Sequence, residues 1–232
     1  MKCDKYTNIA SGHSTWFRAI PTITLIISFL FSILVFLAGC AAPFSDLQSA
    51  KLVGKSKAEA TPSFSSAHYS DDANTGTRHV QNHYGIQAAY GMSSKVDFRL
   101  RFEHIILEKE GEDPFNVIGF GPKIAIVEDV AALNLPFGFA LRDEIDISET
   151  WEFHPTLIFT PLSANQFEIN TSAKALIPLN RKNSDVLIAF NLGAGLSTDI
   201  EKWAIRPELE ILLNPGEDGH FMHFSIGLAI YP

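Results

Sequence analysis

Cysteine is almost missing from this chain. Cys3 and Cys40 are the only two in 232 residues, and neither lies in the C-terminal four-fifths, which excludes a disulfide framework there. Basic charge is also scarce. Eighteen lysines and arginines stand against 26 acids, for a net charge of −8, and none of the basic residues cluster. Nucleic acid needs a basic stripe to meet its phosphates, so it is excluded as a partner. No GxSxG, HExxH or CxxC is present, which removes three common signatures of hydrolases, zinc proteases and dithiol enzymes. The histidines beyond the leader do not have metal-ligand spacing. His79 and His83 share a strand face but stand about 13 Å apart at a strand's rise per residue, and His220 and His223 point to opposite faces. No catalytic residue, metal or cofactor is assigned, and the expectation is a protein without enzymatic activity.

One long apolar run is present. Lys2, Lys5 and Arg18 precede IPTITLIISFLFSILVFLAG, which carries no charge and ends at Cys40. Residues 1–40 read as a signal or anchor segment. Its last four residues, Leu37-Ala38-Gly39-Cys40, resemble the lipobox of bacterial lipoprotein signals, and that resemblance implies a diacylglycerol on Cys40. Ala41, rather than an aspartate, follows the cysteine, which in that family implies sorting to the outer membrane. The alternative is an uncleaved anchor, because the run approaches the roughly 20 residues of a spanning helix. Residues 41–56 are small and polar without clear period and read as a linker.

From residue 57 to residue 232 the pattern has a period of two. In VDFRLRFEHI (96–105), Val96, Phe98, Leu100 and Phe102 occupy one face, and Asp97, Arg99, Arg101 and Glu103 the other. Such alternation marks strands buried on one side. About ten strands are expected, near 57–70, 79–91, 95–109, 115–127, 130–141, 151–162, 166–177, 186–198, 202–213 and 219–231. Tight connections at 92–95, 127–130, 163–166 and 199–202 alternate with mostly longer ones at 71–78, 110–115, 142–150, 178–185 and 214–219, as expected of a barrel with a turn rim and a loop rim.

The charge-bearing faces also carry Gly119, Gly121, Gly138, Gly193, Gly195 and Gly227. Glycine weakens a strand, so a water-facing surface has no use for so many. A narrow lumen does, because small residues make room for long charged ones to cross. The arginines are therefore expected inside and the phenylalanines on lipid. Tyr69 and Trp151 fall at loop-side strand ends, and Tyr90, Trp203 and Tyr231 at turn-side ends, as two interfacial girdles would require. Pro62, Pro122, Pro136, Pro155 and Pro207 interrupt the pattern and are expected at bulges or strand ends.

Residues 57–232 resemble the small bacterial outer-membrane β-barrel proteins, and the closing strand HFSIGLAIYP is similar to the C-terminal assembly signal of that class. The resemblance implies an all-β fold, an antiparallel up-and-down transmembrane barrel of about ten strands preceded by the N-terminal signal or anchor segment. It implies the outer membrane of a Gram-negative bacterium as location, with outer-membrane lipid and the barrel-assembly machinery as partners.

The candidate site is a lumenal charge cluster of Arg99, Arg101, Glu103, Arg206, Glu208 and Glu210. It reads either as a charge-compensated plug or as a selectivity ring or acid/base pair. The five longer loops hold twelve acids against four bases, which makes divalent cations a candidate partner there. The expected role is structural or interaction-based. Three alternatives are carried: a narrow solute channel, a soluble lipocalin-like binder with the phenylalanines around a pocket, and a membrane-embedded hydrolase using His68, His154 or His220 as base.

Overall fold

The computed structural model describes residues 45–71, 76–109, 111–143, 145–180 and 185–231. Within them, twelve strands form one antiparallel sheet. They are β1 (Ala58–Asp71), β2 (Gly76–Gly91), β3 (Val96–Leu107), β4 (Phe115–Val127), β5 (Ala131–Asn134), β6 (Phe137–Leu141), β7 (Glu152–Phe153), β8 (Thr156–Ser163), β9 (Phe167–Pro178), β10 (Leu187–Leu196), β11 (Trp203–Leu213) and β12 (His220–Ile230). The pairing of β1 with β12, in register from Ala60 with Ile230 to Ser70 with His220, closes the sheet on itself. The result is a ten-staved barrel, because β5 with β6 and β7 with β8 are the halves of two broken staves. The leader and Cys40 lie outside the described residues.

Proline explains the breaks. Pro136 separates β5 from β6 and Pro155 separates β7 from β8, and each removes a ladder donor. With Pro122 they form a diagonal seam in which only the carbonyls are used: Leu135 N donates to Pro122 O (2.9 Å), His154 N to Pro136 O (2.9 Å) and Ala175 N to Pro155 O (3.1 Å). Pro62, Pro122 and Pro207 lie inside continuous strands instead of at their ends. Pro62 and Pro207 are tolerated there because pairing on one side skips them: β1 pairs with β12 at Ala60 and next at Ser63, and β10 with β11 at Gly193 and next at Leu196.

The hydropathy of the wall is inverted relative to a water-soluble barrel. Phe98, Leu100, Phe102, Phe190, Leu192, Phe224 and Ile226 are all more than 40 % exposed, whereas Asp97, Glu103, Lys123, Glu168 and Glu210 are at most 1 % exposed. This overturns the lipocalin-like alternative, which requires the phenylalanines inside. Apolar residues enter the interior mainly toward the ends: Leu176, Leu187, Ala189 and Leu212 with Phe221, and Ile105 with Val117, near the loop rim, and Ile200, Ala204 and Ala229 near the turn rim. Between them the lumen is polar.

Two sequence expectations are corrected. A register shift where Ala67 and His68 meet Gln81 and His79 separates the faces of His79 and His83. His79 lies beside His68 (5.2 Å between ring centroids, tilted at 59°), while His83 turns inward beside His223 (5.0 Å). Tyr231 does not join an outer girdle. Its hydroxyl accepts from Arg206 Nη2 at 2.9 Å, and its ring packs on the Ile200, Ala204 and Ala229 cluster.

Candidate functional site in the barrel lumen

The stretch that reads as a linker includes, from Ser45 on, a segment inside the barrel. Residues 45–50 are all buried, and the chain from Ser45 to Val53 runs through the lumen from mid-barrel toward the turn rim. It reverses into β1 over residues 54–57. Ser56 N donates to Gly91 O (2.8 Å), Lys57 N to Gly54 O (3.0 Å) and Gly91 N to Lys57 O (2.9 Å). Glycine is needed on both sides of this contact. Gly54 sits at φ +91°, and a Cβ on Gly91 would stand 1.8 Å from Gly54 O.

The wall grips the segment by its main chain. Glu208 of β11 accepts from Asp46 N (2.6 Å) and Leu47 N (2.7 Å) through its two carboxylate oxygens. Thr160 Oγ1 of β8 accepts from Ala50 N (2.7 Å), and Asp97 Oδ2 of β3 from Val53 N (2.8 Å). Lys123 of β4 donates to Ser49 O (2.6 Å) and Lys51 O (2.7 Å). Arg101 Nη2 donates to Ser45 O, which Gln87 Nε2 also reaches at 3.5 Å.

Asp46 is the segment's charged anchor. Its carboxylate pairs with Lys174 Nζ (3.1 Å) and accepts from Ser172 Oγ and Asn191 Nδ2 (2.8 Å). Lys174 also holds Glu210 at 3.0 Å, so one ammonium bridges two buried carboxylates. Leu47 fills the space over Gly227, where a Cβ would lie 3.2 Å from its Cδ1.

The six residues expected as one cluster are all inward, yet among them only Arg101 and Glu103 form an ion pair with each other. Arg101 and Glu103 pair at 2.8 Å, with His83 Nδ1 on the other carboxylate oxygen at 2.9 Å. Arg99 pairs with Glu59 at 3.3 Å. Arg206 reaches past β10 to Glu168 of β9, at 2.9 Å. Glu210 belongs to Lys174, and Glu208 to the threaded main chain. Of the glycines expected to make room, Gly195 does so for a charged side chain and Gly121 for the backbone of Leu135 and Pro136, while Gly85, which was not among them, also does. A Cβ on Gly195 would come within 2.6 Å of Glu168 Cγ, and one on Gly85 within 3.1 Å of Glu103 Cγ.

Sequence reasoning missed Asp46 and the segment around it, and nothing in the pattern could have marked them. A strand with one buried face leaves a period of two. A segment enclosed on all sides leaves none.

The histidines proposed as bases lie apart. His68 faces outward against Phe224 (5.8 Å), and His154 is buried with its Nε2 2.7 Å from Glu152. At the loop rim Glu112 pairs with Lys109 (2.7 Å) and Arg142 (3.4 Å). Among the described residues no group of three or more His, Cys, Asp or Glu could hold a metal ion.

No family model and no curated protein matches the chain. Solved structures do resemble it. The translocator domain of the autotransporter NalP from Neisseria meningitidis aligns over 92 % of this chain and 97 % of its own at 5 % identity, with a TM-score of 0.45. The KdgM porin aligns over 72 % and 98 % at 12 % identity (TM-score 0.41). The attachment invasion locus protein Ail of Yersinia pestis aligns over 77 % and 99 % at 10 % identity (TM-score 0.36).

Proposed function

We propose that this chain is an integral β-barrel of a Gram-negative outer membrane with a structural or interaction role, its lumen closed by its own residues 45–53. The inverted wall carries the reading. Outward Phe98, Leu100 and Phe102 beside inward Asp97, Arg99 and Glu103 suit lipid outside and a polar interior, and each large apolar side chain moved from water into lipid contributes about 1.5–3 kcal/mol. The sheet closes on itself through β1 and β12 and so leaves no free edge, the condition for crossing hydrocarbon. Acylation of Cys40 belongs to the same reading, supported by Leu37-Ala38-Gly39-Cys40. A narrow solute channel is disfavoured because the threaded segment fills the passage.

The test is fractionation of the full chain expressed in a Gram-negative host, with gel migration before and after heating. Recovery in the outer-membrane fraction with heat-modifiable migration supports the reading, and a soluble protein of unchanged migration defeats it. Mass spectrometry of the N-terminal peptide decides acylation separately.

A further inference from the structure

The contacts that hold Ser45–Val53 are of an unusual kind for a chain packed against its own fold. Seven main-chain atoms are engaged, the amides of Asp46, Leu47, Ala50 and Val53 and the carbonyls of Ser45, Ser49 and Lys51, and the partners are mostly charged side chains from five different staves. Carboxylates meet N–H groups, and ammonium and guanidinium meet carbonyls, so the bonds are charge-assisted and strong. Side-chain recognition, by contrast, is concentrated at the segment's start: Ser45 on Ser65 (2.9 Å), the Asp46 carboxylate on Lys174, Ser172 and Asn191, and Leu47 over Gly227. Further along, Gln48 Oε1 is buried with no hydrogen-bond partner, beside a cavity of about 40 Å³ that it shares with Arg101 and His154. A wall shaped to that glutamine would have matched its oxygen.

We propose that the lumen is a binding site for an irregular polypeptide segment, recognised through its main chain and registered by one acidic side chain, and that Ser45–Val53, turned at Leu47 (φ +50°), is an exchangeable occupant of it. The ligand class is an unfolded peptide carrying an aspartate followed by a bulky apolar residue. Beyond those two positions the wall reads N–H and C=O groups that every residue but proline supplies, except that Ala50, buried against Ala132 and Ile158, holds its position to a small side chain. This inference rests on the membrane-barrel reading above and extends it from a closed lumen to one that takes peptides.

The experiment uses the full chain refolded in detergent and inserted into planar bilayers. Ala50→Pro with Val53→Pro removes two main-chain donors, and Lys123→Met removes the ammonium that serves two carbonyls. Both are expected to convert a closed barrel into one with frequent open bursts, whereas Gln48→Ala with Leu52→Ala stays closed. A synthetic peptide of residues 44–57 added to the proline variant is expected to restore closure, and so is one with residues 48, 51 and 52 replaced. The same peptide N-methylated at residues 50 and 53 is expected to bind about ten-fold or more weakly for each donor lost. Equal block by methylated and unmethylated peptides overturns the proposal. Closure retained in both the proline and Lys123→Met variants also overturns it, as does opening on the Gln48 and Leu52 changes alone. Heat-modifiable migration of each variant is checked first, and if the proline pair fails to fold, Lys123→Met with the peptides decides. A parent chain that never enters the bilayer counts against the barrel reading itself, a different result from an embedded barrel that ignores peptide.

Discussion

Glu208 holds two consecutive amides at once: its Oε1 lies 2.6 Å from Asp46 N and its Oε2 2.7 Å from Leu47 N. A bidentate carboxylate on a main chain cannot be replaced by an amide without turning one acceptor into a donor that faces another donor. Glu208→Gln is therefore expected to destabilise the seated segment by about 1.5–3 kcal/mol. Urea unfolding of the refolded barrel, followed by loss of its fast-migrating form, measures this, and an unchanged midpoint would show that the bidentate grip contributes nothing.

Lys174 stands between Asp46 and Glu210, at 3.1 and 3.0 Å. Lys174→Met leaves two carboxylates buried and unpaired and is expected to cost about 3–5 kcal/mol. Adding Asp46→Asn and Glu210→Gln removes the orphaned charges and should recover most of that loss. If the triple variant is as unstable as the single one, the damage is to packing, and the charges are irrelevant.

Gly91 and Gly119 separate close approach from ordinary contact. A Cβ at Gly91 would stand 1.8 Å from Gly54 O, whereas at Gly119 the nearest atom is 3.7 Å away. Gly91→Ala should force open the reversal that feeds the segment into the lumen, exposing the Ala50 and Val53 amides to hydrogen exchange while the staves stay protected. Gly119→Ala should change stability by less than about 1 kcal/mol. Protection of Ala50 and Val53 retained in Gly91→Ala would mean that the segment is seated independently of its turn.

Leu100 and Leu192 test the outer face. Both point away from the lumen and are about half exposed, 49 % and 55 %. Replacing either with arginine is expected to cost about 2–4 kcal/mol when unfolding is measured from lipid vesicles, the cost of a cation near the bilayer midplane. In a barrel surrounded by water the same change would be neutral.

In the turn between β10 and β11, Lys202 Nζ donates to Asp199 Oδ2 at 2.6 Å, and this bond lowers the Asp199 carboxyl below its ordinary value. A depressed acid stabilises the fold above its unfolded value, and that contribution is lost as pH falls through the lowered one. NMR titration should place Asp199 below the ordinary aspartate range in the parent and return it toward that range in Lys202→Met, and titration at the same pH in both would dismiss the bond.

The staves were legible because each has one apolar and one polar face: ten spans were readable from period alone, and the turn-loop alternation followed. Two features were hidden for a physical reason. Partner choice in the lumen depends on how strands are staggered around the ring, so Arg206 meets Glu168 across β10, a relation that lies in no single strand's pattern. The register shift at Ala67 and His68 exchanges one face for the other, and a period of two cannot announce its own slip. The threaded segment was invisible because enclosure on every side leaves no contrast to read.

The chain enters its own ring immediately before β1, and that ring is closed by β1 against β12, the first strand against the last. Tethered at that seam, Ser45–Val53 competes for the lumen as an intramolecular ligand, so a free peptide has to be supplied at high concentration to displace it.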